Sequence, residues 1–246
     1  MIDNASISAI HIEPKLTVVP AIRRYRAPID RKRNYFIIKR VFDIVFSLCF
    51  ILCILSWLLP ILAIILKLTS KGPVFFLQKR IGFGGRSFTC YKLRTMVMNG
   101  EADSKQATEN DSRITPLGRF LRKSNIDEFP QFFNILKGDM SVIGPRPHMY
   151  EDCRAFSEVL PGYKFRNMVK PGLTGLAQIK GYHGPTHTRN CILLRYHWDN
   201  YYIHHIGFIL DTKIVMYTLV QRFAVMAKYL VQQFTSIKTQ EEVFSN

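Results

Sequence analysis

Two adjacent carboxylates, Asp127 and Glu128, have the strongest claim to chemistry in this chain. Arg119, Arg122 and Lys123 precede them and Arg146 follows, cations suited to binding phosphate. Ser124 and Asn125 offer helix N-caps, with one of the acids three residues on as the partner in a capping box. Ile126, Phe129, Phe133 and Leu136 recur at helical spacing, and Gly138 sits where a C′ glycine belongs. The spacing predicts a short helix from about Asp127 to Lys137. Acids in a first turn complement the helix dipole, and that alone would account for them. Successive helix residues point about 100° apart, however, so the pair cannot both serve one cap. Carboxylates, cations and a helix N-terminus together suggest a phosphate-handling site, with a divalent metal bridging like charges. Gly144-Pro145-Arg146-Pro147 is a stiff loop that could hold Arg146 in a fixed place.

The elements that must position these groups are unevenly legible. The chain has 246 residues, 48% hydrophobic and 21% charged, enough for one ordinary domain plus a membrane element. Thirty-four Lys and Arg against 18 acids give a net charge of +16, which favours a polyanionic partner: nucleic acid, an anionic membrane surface or phosphorylated substrates. No helix-turn-helix, zinc-finger or RNP pattern accompanies the charge, so no nucleic-acid partner is expected. Five cysteines without a C-x-x-C pair fit a reducing compartment and packed thiols better than a disulfide framework.

Residues 1–38 form a segment that turns basic from Arg23 onward. Ile44 to Leu66 is a run of 23 residues without a charge, about 35 Å as a helix and long enough to cross a bilayer. Cations flank it on both sides, so the charge asymmetry that orients a spanning helix is missing. Pro60 lies within it. Two readings follow for 39–70: a helix that enters, bends near Ser56 to Pro60 and returns, or one tilted, kinked span.

Val74 to Lys79 and Ser87 to Thr95 read as short strands joined by Gly82-Phe-Gly84-Gly85. Lys92 and Arg94 fall on one face of the second strand, and one of them is expected to reach the site. Met98 to Asp111 reads as a polar loop, Thr115-Pro116 as a helix start and Tyr150 to Leu160 as a further helix. His183 and His187 flank a Gly-Pro turn and make a poor zinc pair. From about Thr212 to Phe234 an apolar helix interrupted by Lys213, Arg222 and Lys228 fits either an interfacial amphipathic helix or a core helix. Residues 71–235 would then be the catalytic domain and 236–246 a tail.

Several of these stretches, taken together, resemble the bacterial sugar transferase family, the monotopic phosphoglycosyl transferases. The resemblance rests on Asp127-Glu128-Phe-Pro-Gln-Phe-Phe-Asn134, Lys137-Gly-Asp139-Met-Ser and Gly144-Pro-Arg-Pro147. Tyr91-Lys92-Leu-Arg94-Thr-Met96 and Val169-Lys-Pro-Gly172-Leu-Thr174-Gly175-Leu176-Ala-Gln178 extend it, as do Asp199, Tyr202, Asp211 and Lys213. It runs from about Lys39 to Lys213, with Leu176 where the family usually carries tryptophan and with Ser56 and Pro60 apart where members place them side by side.

The resemblance implies an α+β, mostly helical fold: a re-entrant membrane helix, a small β-hairpin and interfacial amphipathic helices. It implies transfer of a sugar phosphate from a nucleotide sugar, UDP-linked, to polyprenyl phosphate at the cytoplasmic face of the bacterial inner membrane. Asp127 would be the nucleophile, and Glu128 would join it in holding Mg2+ or handle a proton. Arg122 and Arg146, with Lys92 or Arg94, would bind substrate phosphates. Two other readings are a non-catalytic assembly factor with the same fold and a membrane-tethered nucleic-acid-binding protein.

Overall fold

The apolar run is one helix, α1, from Arg33 to Thr69, in a computed structural model that describes residues 32–97, 111–182, 184 and 188–244. The N-terminal residues to 31, the polar stretch 98–110 and both His183 and His187 lie outside the described residues. Helical backbone continues through Ser56 and Pro60, so the expected break there is not a gap in the helix. A π-turn over Ile51–Leu55 lies just ahead of these residues, and the Ser56 N–H reaches back five residues to the Ile51 carbonyl. Side chains then supply donors to carbonyls of the widened turn. Ser56 Oγ donates to the Leu52 carbonyl at 2.7 Å, and Trp57 Nε1 donates to the Cys53 carbonyl at 2.9 Å.

α1 is apolar almost all round, yet a stripe of it is bound to the rest of the protein. Tyr35, Lys39, Asp43 and Ser47 are buried at four-residue spacing, and Leu55, Leu62 and Leu66 continue the contact. Phe50 stacks on Phe132 with ring centroids 4.0 Å apart and meets Phe129 edge-on at 5.0 Å. Leu62 and Leu66 pack with Leu93 and Leu121. The opposite side, including Ile38, Val41, Val45, Leu52, Ile61 and Leu68, is exposed. Cys49 and Cys53 lie on exposed positions too, while Cys90 and Cys153 are the buried thiols.

β1 (Phe75–Ile81) and β2 (Ser87–Leu93) form the expected antiparallel hairpin, with Gln78 opposite Cys90. Its turn is Phe83-Gly84-Gly85. α2 (Pro116–Ser124) starts as expected: Thr115 Oγ1 accepts from the Gly118 N–H at 2.9 Å, and proline follows the cap. α3 (Gln131–Lys137) ends at Gly138, whose φ of 91° suits glycine.

A second, parallel pair was not legible in advance: β3 (Ser141–Ile143) beside β4 (Gly172–Thr174). Its crossing explains two glycine-bearing motifs. A Cβ on Gly172 would lie 2.0 Å from the Gly144 nitrogen, and one on Gly144 would lie 2.4 Å from the Lys170 carbonyl oxygen. The two backbones touch where side chains would normally stand.

α4 (Tyr150–Val159), α5 (Leu176–Ile179), α6 (Arg189–His205) and α7 (Phe208–Phe244) complete the chain. α7 runs through most of the stretch expected as a tail. Asp211, in its first turn, accepts from Tyr35 Oη, from Lys39 Nζ at 2.6 Å and from Tyr202 Oη at 2.9 Å. One carboxylate thus joins α1, α6 and α7. Asp43 accepts from Ser141 Oγ at 3.0 Å and from the Val142 N–H at 2.9 Å, near the Lys39 and Arg40 charges. It fixes β3 to α1. The architecture is α+β and mostly helical, as the sequence led us to expect.

Candidate active site

The two carboxylates do not open a regular helix. Asn125 takes a left-handed conformation, φ 59° and ψ 16°, and ends α2; Ile126–Glu128 is then a single 3-10 turn. Pro130 separates this turn from α3, for which it serves as the N-cap residue. The expected capping box is absent because Ser124 Oγ bonds back to the Phe120 carbonyl at 2.9 Å, as serines inside helices do. The turn is fixed by Phe129 and Phe132 against Phe50 on one side and by Ile126 packed beside Leu121 on the other.

Both acids are buried, and their surroundings differ. Glu128 accepts from Lys92 Nζ at 2.6 Å and from Arg146 through two nitrogens, Nη2 at 2.7 Å and Nη1 at 3.3 Å. Burial pushes its pKa up, but Arg146 and Lys92 outweigh burial and hold it well below the usual carboxylate range. Among the described residues, the Asp127 carboxylate has no hydrogen-bond partner. Burial is the main reason that its pKa rises to about 6; the Glu128 charge adds to the rise, and Lys92, Arg122 and Arg146 oppose it.

The basic residues divide. Lys92 reaches the pair from β2. Arg146 reaches it from the loop after β3. Arg122 donates through Nε to Thr95 Oγ1 at 2.8 Å and through Nη2 to Met96 Sδ at 3.4 Å, close enough to favour the Asp127 charge. Arg94, expected as a phosphate ligand, is engaged elsewhere. Its guanidinium donates to the Lys71 carbonyl and, at 2.9 Å, to both the carbonyl and the hydroxyl of Ser70, clamping the C-terminal end of α1. Strand alternation does put Lys92 and Arg94 on one face, but the face runs from the catalytic turn to the helix end.

Other residues, to which the sequence assigned no role, support the site. Asn134, fully buried on α3, accepts from the Tyr91 N–H at 2.9 Å and donates to the Thr89 carbonyl at 2.7 Å. Its amide acts as a piece of neighbouring strand and sets the height of Lys92 over Glu128. Arg166 donates to the Arg146 carbonyl at 2.7 Å and to Asp199 at 2.8 and 3.0 Å. His148 follows in the same loop, held neutral by burial and by nearby arginines. Arg195 Nη1 donates to its Nε2 at 3.2 Å, so Nδ1 carries the proton and donates to Tyr163 Oη at 2.8 Å. Arg222, read above as an interruption of an apolar helix, donates through Nη1 to Asn125 Oδ1 at 3.0 Å. Burial lowers its pKa and the Arg146 charge acts the same way, while Glu128 and Asp127 oppose the fall.

A magnesium site can be tested against these contacts. Among the described residues no group of three or more His, Cys, Asp or Glu side chains could cage an ion. Glu128 is occupied by two cations, so it fits a metal ligand poorly. Asp127 fits the common arrangement in which one carboxylate shares Mg2+ with substrate phosphates.

The bacterial sugar transferase family profile matches residues 34–225. A UDP-glucose:undecaprenyl-phosphate glucose-1-phosphate transferase of Klebsiella pneumoniae is 41% identical over 212 residues, 86% of this chain and 45% of that protein. One of the same name from Caulobacter vibrioides is 42% identical over 182 residues, 74% of this chain and 68% of that protein. An exopolysaccharide production protein of Rhizobium leguminosarum bv. phaseoli is 39% identical over 189 residues, 75% of this chain and 94% of that protein. The chain spans less than half the length of the Klebsiella pneumoniae relative. With the Asp-Glu turn, the Lys92 strand and the Arg146 loop brought together inside the matched region, the chain belongs to the bacterial sugar transferase family.

Proposed function

We propose that this protein transfers a sugar 1-phosphate from a UDP-sugar to undecaprenyl phosphate, at the cytoplasmic surface of the inner membrane. The observation that carries this reading is the asymmetry of the pair: Glu128 is neutralised by Lys92 and Arg146, while Asp127 is buried, close to cations and free of hydrogen bonds. An unengaged carboxylate beside cations is suited to attack phosphorus.

An Asp127 oxygen attacks the sugar-side phosphorus, the bond from that phosphorus to the bridging oxygen breaks, and UMP leaves. A phosphate oxygen of the lipid then attacks the same phosphorus. The aspartyl bond breaks, and a polyprenyl diphosphate sugar forms with Asp127 regenerated. Glu128 holds Lys92 and Arg146 at the site, and Arg122 and Arg146 orient the diphosphate with donors left to them. Magnesium, held by Asp127 with the donor phosphates, would lower the repulsion between one anion and another when bound.

The exposed apolar side of α1 supports a membrane setting; the helix is long and apolar enough to cross a bilayer, with little of it buried in the protein. An apolar groove of about 350 Å³ beside the π-turn, lined by Leu55, Leu59, Pro60, Val74 and Phe133 among others, offers a surface for an isoprenoid chain.

The test is product analysis. Detergent-solubilised protein with Mg2+, undecaprenyl phosphate and a panel of UDP-sugars should release UMP, dependent on the lipid. Release of UDP would show transfer of sugar without its phosphate and end this reading.

A further inference from the structure

The packing of α7 brings Arg222 to the catalytic turn but does not account for a charge there. It projects from α7 toward the catalytic turn and is half-buried there. Its Nη1 donates to Asn125 Oδ1, and Asn125 is the left-handed residue that launches the turn. Among the described residues this is its only side-chain hydrogen bond, and no carboxylate lies within 4 Å of it. Most of its donors are therefore uncommitted. Lys92 and Arg146, by contrast, are already paired with Glu128, and Arg122 is tied to Thr95 and Met96.

The helix that carries Arg222 shows an apolar face to the outside. Leu219, Val220 and Phe223 are 48%, 62% and 74% exposed, and Met216 and Tyr217 continue that face. The inner side of α7 reaches the core through Ile214 and Thr218, the latter hydrogen-bonded to Thr174 at 2.7 Å. Arg222 thus stands between an apolar, lipid-suited surface and the Asp127–Glu128 turn. A guanidinium on a long apolar stem is well built for that boundary. The ligand that crosses the same boundary is an anion attached to a hydrocarbon chain.

We infer that Arg222 binds the phosphate of the acceptor lipid, delivering it to the catalytic turn from the α7 side. The inference rests on the sugar-phosphate transfer reading for its biological acceptor. The site itself is defined by a simpler chemistry, a phosphate monoester on an isoprenoid chain.

Binding of farnesyl phosphate and of farnesol to the full chain in detergent micelles, followed by calorimetry, separates the roles. Arg222→Ala should weaken farnesyl phosphate about tenfold, the scale of one charge-assisted hydrogen bond, and leave farnesol binding unchanged. Arg222→Lys should recover part of the loss. Asn125→Gly keeps the left-handed backbone and the guanidinium while removing the amide, and should weaken the phosphate ligand less than Arg222→Ala does. Equal losses for phosphate and alcohol, no loss in Arg222→Ala, or an Asn125→Gly variant as weak as Arg222→Ala would each overturn the inference. Turnover is read separately. Phosphate-selective binding without UMP release from any donor would sink the transfer reading and leave the lipid-phosphate site standing.

Discussion

Arg146 grips Glu128 through two nitrogens, at 2.7 and 3.3 Å, and so leaves its neighbour Asp127 as the unengaged carboxylate of the pair. Adjacent acids thereby acquire opposite electrostatic characters: one is fixed as an anion by its partners, the other is raised toward neutrality by burial.

If Asp127 is the nucleophile, its replacement removes the chemistry rather than the binding. Asp127→Asn should lower UMP release by at least about 10³-fold, within the range seen when a covalent nucleophile is lost. Mass spectrometry of the wild type incubated with donor alone should show a sugar phosphate on Asp127. Intact turnover without any adduct would rule out the covalent route.

The raised pKa of Asp127 carries a pH signature. Attack needs the ionised form, so kcat/KM for the donor should fall as pH drops through about 6. Stability moves the other way. A carboxyl whose folded pKa exceeds its unfolded value destabilises the fold when ionised, and that cost disappears as pH falls from about 6 toward 4. Asp127→Asn should therefore melt at a higher temperature than the wild type at pH 8, with the gap closing by pH 4.

Lys92 and Arg94 should separate cleanly. Lys92→Met removes a cation from Glu128 and should reduce kcat/KM by about 10²-fold. Arg94→Met unclamps the end of α1 and should cost about 2 kcal/mol of stability by leaving the carbonyls of Ser70 and Lys71 short of donors. Melting curves and initial rates on the two variants decide this; an Arg94 variant with normal stability and a raised donor KM would return Arg94 to the binding site.

Behind the Arg146 loop, Arg166 and Asp199 form an ion pair with both side chains almost fully buried. Asp199→Asn leaves the guanidinium uncompensated and should destabilise by about 3–5 kcal/mol. Arg166 would also lose its orientation toward the Arg146 carbonyl, so activity should fall even at temperatures where the variant is folded. Circular dichroism melts paired with UMP assays test both effects.

Gly172→Ala should fail to fold. Its methyl group would need the space of the Gly144 backbone nitrogen, only 2.0 Å away, a clash beyond the ~3 kcal/mol that overpacking commonly costs. A soluble variant with a wild-type melting temperature would show that β3 and β4 are not so closely apposed.

Several local signals in the sequence were sufficient where short-range chemistry decides structure, though the capping box at Ser124 was not among them. Thr115-Pro116, the glycine turn of the hairpin and Gly138 all sit where their backbone preferences put them. The motif carrying Asp127 and Glu128 was legible from charge and spacing, but its conformation was not. Asn125 and Pro130 override the apolar periodicity and divide the expected helix in two. Pairings over long sequence separations were hidden altogether. Nothing near Arg94 reveals that its partners are Ser70 and Lys71, and nothing near Asp211 reveals Tyr35 and Lys39. Arg222 had no local signal beyond being a charge in an apolar helix; only the packing of α7 brings it to Asn125.

The attachment of α1 along its length makes this long apolar helix an internal strut. Its first turns carry Tyr35 and Lys39 to Asp211, its middle supplies Phe50 to the aromatic residues beside the catalytic turn, and its last turns place Leu62 and Leu66 under Leu121. Cutting the chain before Ser70 would not release a soluble enzyme from a tether. It would strip one wall from each of these contacts and expose Phe132 and Leu121. The catalytic turn and α1 therefore stand or fall as one folded unit.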